Sequence, residues 1–216
     1  VKRVDFYFDF SCPYAYLAHT QIEAVCARAG ADLTWRPFLL GGLFRILGAP
    51  VDPNVSMPAA KSRMNYLDMA RWADHLGVPL IRPAAHPCRT VLALRAAIAS
   101  GSIERASKAF FAAYWAKGLD LGKPEIVLAA LDEAGFEGEN IILKAEEQAI
   151  KDDLRARTDE AARAGVFGAP AFVVTAPGVN GDLFWGQDRL MFVEKALGGW
   201  SVPPLVAATK PPEAAP

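Results

Sequence analysis

An apolar strand, Val4 to Phe10, stops at Ser11-Cys12, and a helix begins at Pro13. Proline is at no disadvantage there, because the first helical position has no use for its missing N–H. Gly30 ends that helix, and a second strand runs from about Asp32 to Leu39. Strand, helix and strand make one crossover unit, whose two strands are parallel. The free N–H groups and dipole at the start of the helix favour a thiolate, either that of Cys12 or the sulfur of a bound ligand. Cys12-Pro13 is the first half of a Cys-Pro-x-Cys redox motif, but its last position is Ala15. Exchange between two thiols of one motif therefore cannot close.

Beyond this unit the pattern is helical for most of the chain. Ser56 is expected to cap a helix that opens near Met57 and Pro58, carries Met64, Leu67, Met69, Trp72, Ala73 and Leu76, and stops at Gly77. Further helices are predicted over 89–100, 102–117, 123–134, 138–149 and 152–164, with Gly101, Gly118, Gly135 and Gly165 as stops. Strand character returns at Ala171 to Thr175. After a turn rich in proline, glycine and asparagine it appears again at Asp182 to Trp185, before a last helix over 187–198. From Ser201 on the chain holds five prolines and reads as a poorly ordered tail. The order predicts an α/β, thioredoxin-like fold split by a large all-helical insertion. Residues 1–40 and 166–200 would form a discontinuous thioredoxin-like domain, 41–165 the insertion and 201–216 the tail.

A second proline supports that reading. In Val166-Phe167-Gly168-Ala169-Pro170-Ala171 it stands at the start of the third strand, since a central strand tolerates it poorly inside. A cis Ala169–Pro170 bond would turn the Ala169 backbone toward the N-terminus of the first helix and leave its N–H and C=O for a peptide ligand. The 216 residues, 52% of them hydrophobic, suffice for one large domain or a domain with an insertion. With 23 basic against 24 acidic side chains, neither nucleic acid nor an anionic membrane is expected as the main partner. No stretch is long and apolar enough to span a bilayer, and the first strand begins too early for a signal peptide, so a cytoplasmic protein is expected. Three cysteines make neither a disulfide framework nor a zinc site, and no metal is predicted. Cys26 follows Ala18 and Ile22 at helical spacing and belongs on a buried face. Cys88, in His86-Pro87-Cys88-Arg89, is either a second active-site thiol or a loop cysteine without chemistry.

From about residue 4 to 198 the chain resembles the 2-hydroxychromene-2-carboxylate isomerases and kappa-class glutathione transferases, the glutathione-using branch of the DsbA-like proteins. The segments that carry the likeness, in order, are FYFDFSCPYAYLA at 6–18, the stretch around Pro53-Asn54, YLDMARWADHLGVPL at 66–80, VFGAPAFVV at 166–174 and FWGQDRL at 184–190. The resemblance implies a glutathione site between core and insertion. Cys12 stands where the family has a serine that hydrogen-bonds the glutathione sulfur; Ser11 is an alternative hydroxyl, and Pro13 and Tyr14 adjoin it. Ala169 and Pro170 would meet the cysteinyl part, Asp188 the γ-glutamyl ammonium, with Gln187 and Trp185 beside it. Asn54 and Arg45 would hold the rest, although the family usually has lysine at Arg45 and Gly-Asn where this chain has Gly48-Ala49.

The activity implied is glutathione-dependent isomerisation of an aromatic carboxylate from a degradation route, in which the thiolate adds to a conjugated bond, rotation follows, and the thiolate leaves. Lys61 and Arg89 would face the substrate's negative charge, and His86 would carry a proton. Leu43, Phe44, Met57 and Phe110 would line an aromatic pocket. A homodimer is implied in the same way. Two other readings stay open: a monothiol oxidoreductase or transferase working through Cys12, and a glutathione-binding protein without turnover. Several residues also have ordinary roles available: Asp188 as a helix cap, Asn54 in a turn, His86 as a loop residue, and Leu43, Phe44, Met57, Phe110, Trp72 and Trp115 in the core.

Overall fold

In the computed structural model, which describes residues 1–49 and 57–203, β1 (Arg3–Phe8) leads through a tight junction into α1 (Pro13–Ala29) and then β2 (Asp32–Pro37). Pro13 is at the first helical position behind an extended Cys12, and Gly30 closes the helix at φ 61°. There its N–H and that of Ala31 bond back to Ala27 and Cys26, in a left-handed cap that glycine adopts without a Cβ clash. β1 and β2 are parallel, with Phe6 opposite Trp35. On its other side β1 pairs antiparallel with β3 (Ala171–Ala176), which pairs antiparallel with β4 (Val179–Trp185), in the order β2-β1-β3-β4.

Between β2 and β3 run α2 (Leu40–Ile46), α3 (Ala59–Leu76), α4 (Val91–Ala99), α5 (Ile103–Phe111), α6 (Pro124–Glu133), α7 (Gly138–Ala145) and α8 (Gln148–Arg163). A 3-10 turn at Gln187–Arg189 precedes α9 (Leu190–Leu197). Several details differ from the sequence expectation, among them an earlier start of β4, at Val179 rather than Asp182, and the 3-10 turn where the last helix was expected to begin. α2 was not foreseen, since seven residues are too short for a period to show. The break expected near 149–152 falls instead between Ala145 and Gln148, where no glycine or proline marks it. The helix expected over 102–117 is α-helical only to Phe111 and continues as a π-helical turn, Ala112–Ala116. The expected Ser56 cap, Asn54 and the tail from 204 onward lie outside the described residues.

Alternation along β1 sorts its side chains. Val4, Phe6 and Phe8 are buried on the face that also receives α1 and α9, and Tyr7 is buried on the other with Phe38, Leu43 and Ala161. Asp5, on Tyr7's side, is neutralised by Arg3 at 3.0 Å and Arg36 at 2.8 Å. The first core does not end at the sheet. Phe10 meets Phe110 and Phe111 with ring centroids 5.4 and 5.0 Å apart, and Phe8 meets Phe111 at 5.5 Å. Each buried phenylalanine contributes roughly 1.5–3 kcal/mol, so α5 is held to the strand by apolar contact. Leu43 and Phe110 are fully buried in these clusters; unlike Phe44 and Met57, they pack the core and do not line a pocket.

Candidate functional site

The end of β1 is organised by a carboxylate. Asp9 is 1% exposed, and its Oδ1 accepts from the Ser11 N–H at 2.9 Å, the Ser11 hydroxyl at 3.0 Å and the Thr90 hydroxyl at 2.8 Å. Its Oδ2 accepts from the Leu40 N–H at 2.9 Å. Burial pushes the Asp9 carboxyl above the usual carboxylate range, while these donors act in the opposite direction. One side chain thus ties the junction to the first residue of α2 and to the residue before α4. The sequence reading missed it. The available signal was an aspartate at the end of an apolar strand, where burial demands partners.

Cys12 follows, with its N–H on the Asp9 carbonyl at 3.1 Å. Its thiol donates to the Ala169 carbonyl at 3.1 Å, and the Ala169–Pro170 bond is cis. The first helix and the strand-leading proline therefore meet at one sulfur. Burial pushes the Cys12 thiol up to about 12; the backbone N–H groups of Ala15 and Tyr14 pull it down by less. At neutral pH Cys12 is a thiol and a hydrogen-bond donor. The helix end was expected to favour a thiolate on Cys12 or on a bound ligand; at Cys12 burial outweighs it. Cys26 is buried on α1, as expected, and Cys88 is half-buried with its N–H on the Tyr114 hydroxyl at 3.2 Å.

Two clefts lie here, and the sulfur lines the larger of them. The larger, about 540 Å³, is walled by Cys12, Pro13 and Tyr14 from the junction, Phe44 from α2, Tyr66 and Met69 from α3, Arg82, His86 and Trp115, and Phe167 to Ala169 with Trp185. The smaller, about 200 Å³, lies among Tyr14, Asp68, Trp72, Trp185, Gln187, Asp188 and Arg189. Tyr14 and Trp185 stand in both walls. Gly168 makes room for Trp185, whose Nε1 would be 2.8 Å from a Cβ added there.

Of the residues expected at the site, Ser11, Cys12, Pro13, Tyr14, His86, Ala169 and Trp185 come together on the larger cleft, and Gln187 and Asp188 on the smaller. The Ser11 hydroxyl is already committed to Asp9. Pro170 lies just behind the lining, its carbonyl accepting from the Gly186 N–H at 3.0 Å. The Gln187 side chain is 3% exposed and accepts from Gln21 of α1 at 3.2 Å. Asp188 pairs with Arg189 and makes no side-chain cap. His86 places Nδ1 3.0 Å from the Tyr114 hydroxyl.

Three expected cations are not in either cleft: Arg45, Lys61 and Arg89 are all exposed outside them. Phe44 faces the larger cleft, so Arg45, about 100° further round α2, turns away. On α3 the cleft face is Ser62, Asn65, Tyr66, Met69 and Ala70, which leaves Lys61 off it. Arg89 begins the approach to α4 beside Gly122. The cation that does line the larger cleft, Arg82, was not singled out from the sequence, because a loop arginine between isoleucine and proline carries no period or motif. Among the described residues, no helix is long and apolar enough to cross a membrane.

A mixed sheet with a helix N-terminus, one thiol and a cis proline meeting at the ends of its two central strands defines a thioredoxin-like protein. This chain belongs to the DSBA-like thioredoxin domain family, whose model matches residues 3–198. It is 29% identical over 199 residues to a 2-hydroxychromene-2-carboxylate isomerase of Sphingobium xenophagum, across 91% of this chain and 98% of that one. It is 26% identical over 225 residues to glutathione S-transferase kappa 1 of Homo sapiens, across 96% and 97%. A solved 2-hydroxychromene-2-carboxylate isomerase shares the fold, with TM-score 0.76 at 24% identity over 91% of this chain and 94% of that one.

Proposed function

We propose that this chain is a glutathione-dependent isomerase of the 2-hydroxychromene-2-carboxylate type, acting on a carboxylate-bearing intermediate of aromatic degradation. The observation that carries this reading is a Cys12 thiol that stays protonated and aims at the Ala169 carbonyl, in a site where no second cysteine lines either cleft among the described residues. A protonated thiol without a thiol partner is suited to donate a hydrogen bond to a bound sulfur, as a serine would.

The residues present fit glutathione. The smaller cleft offers the carboxylate of Asp68, with the Asp188–Arg189 pair beside it, to an ammonium group, the Ala169 backbone offers a peptide edge, and the larger cleft has aromatic walls for a second molecule. Bound glutathione supplies the thiolate that adds to the conjugated substrate and later leaves it. The first amides of α1 and its dipole lower the cost of that negative charge. Cys12 turns its S–H from Ala169 toward the sulfur. Burial pushes the Tyr14 hydroxyl up to about 12, so it remains a neutral donor in the wall shared by both clefts, suited to the oxyanion that forms on the substrate. Likeness to the kappa transferase supports a transferase as second reading. A homodimer in the cytoplasm accompanies either.

The test compares wild type with Cys12→Ser for glutathione-dependent isomerisation of 2-hydroxychromene-2-carboxylate and for reduction of a glutathione mixed disulfide, with intact-mass analysis of the wild type. Cys12→Ser should keep isomerase activity within a few-fold of wild type or exceed it, since a hydroxyl is the better donor. Loss of isomerisation in Cys12→Ser, together with a glutathione adduct on wild-type Cys12, would replace the isomerase by the oxidoreductase.

A further inference from the structure

The two clefts differ in charge. Among the described residues no aspartate or glutamate lines the larger one, whereas the smaller holds Asp68 and Asp188 against one cation, Arg189, which pairs with Asp188. Arg82 is the one lysine or arginine on the larger cleft among those residues. No described carboxylate pairs with it; its contact is with Tyr66, its guanidinium carbon 5.1 Å from the ring centroid. An arginine lying on an aromatic face keeps its fork of N–H donors free at the edge, and the ring limits the conformations it must give up when it binds. The surrounding wall is aromatic and aliphatic, with Tyr14, Phe44, Met69 and Trp115. A cation without a counterion on such a wall selects a ligand that is flat, apolar and negatively charged at one end.

We infer that Arg82 is the carboxylate-binding, specificity-determining residue of the larger cleft. The inference rests on the proposed function in taking that cleft as the place of the second substrate. Its carboxylate partner has two sources, the aromatic substrate and the glycyl end of glutathione, and binding measurements separate them. Arg82→Met keeps the apolar stem on Tyr66 and removes the charge; Arg82→Lys keeps the charge and removes the fork.

The probes are trans-cinnamate and its uncharged amide, followed by tryptophan fluorescence, since Trp115 and Trp185 stand in the cleft wall. Glutathione affinity is measured by calorimetry on the same proteins. In wild type cinnamate should bind about tenfold more tightly than the amide, the scale of one charge-assisted hydrogen-bonded pair near solvent. Arg82→Met should abolish that preference, Arg82→Lys should restore part of it, and glutathione affinity should be unchanged. If glutathione affinity instead falls about tenfold in Arg82→Met, and is unchanged for glutathione esterified at glycine, Arg82 binds a carboxylate as inferred and the source is glutathione. If neither preference nor glutathione affinity responds to Arg82→Met, the inference is overturned. Wild type that lacks isomerase activity yet prefers cinnamate in an Arg82-dependent way supports Arg82 and removes only the proposed reaction.

Discussion

Asp9 presents two carboxylate oxygens to two backbone N–H groups and two hydroxyls in a dry environment. An amide cannot replace it, because one end of the amide is itself a donor and would oppose the donors of Ser11 or Leu40. Asp9→Asn should therefore lower unfolding free energy by about 1–3 kcal/mol, the cost of leaving a buried donor unpaired. Thr90→Ala, which removes one donor of the four, should cost less. Urea denaturation of both variants checks the order; equal stability of Asp9→Asn and wild type would remove Asp9 from its organising role. Cys12, three positions later, is also buried but has fewer partners. Burial there works on a thiol with a single carbonyl acceptor, so the neutral form is kept. Position and type of Cys12 were legible in the sequence, but its protonation was not, because desolvation depends on what packs over the sulfur.

Among the elements, α1 opens at the site and also carries a titrating contact with the helical block. His19 stacks on Phe111 of α5 at 4.6 Å, and its Nδ1 bonds the Tyr16 carbonyl. Burial is the main reason its pKa falls to about 4; the charge of Lys108 adds to the lowering, and the Tyr16 carbonyl opposes it. The unfolded imidazole binds a proton near its ordinary value, about 6.5. Stability is then fully present above that value and is lost as pH falls toward 4, because the unfolded chain takes up the proton first. The expected loss is on the order of 3 kcal/mol. His19→Phe keeps a ring against Phe111 and should flatten the difference between denaturation curves at pH 4 and pH 7.5. A variant as acid-sensitive as wild type over that range would show that other groups govern it. α2 illustrates the limit of periodicity. It is held by the Leu40 N–H on Asp9 and by the Leu39 N–H on the Thr158 hydroxyl of α8, neither of which is a local signal.

At the scale of the molecule, one apolar cluster runs from the sheet through α1 and α9 into α4, α5 and α6. The sheet and helical block should therefore unfold together: tryptophan fluorescence and far-ultraviolet circular dichroism are expected to trace a single coincident urea transition. Two separated transitions would mean that the helical block is an independent folding unit. The residues by themselves determined the crossover unit, the helical stretch after it, the strand behind Pro170 and the junction at Cys12-Pro13. Those features follow from local rules: proline at a helix start, glycine at its end, and apolar periods of strand or helix. Tertiary structure alone decided which cation reaches the cleft. Arg45, Lys61 and Arg89 are equally basic in the sequence, but the rotation of α2 and α3 and the path of the loop before α4 turn them to solvent, while Arg82 arrives on Tyr66. It also decided that Asp9 is buried among donors and that Cys12 stays protonated. Contacts between residues far apart in the chain set solvation, and solvation governs where charge is tolerated.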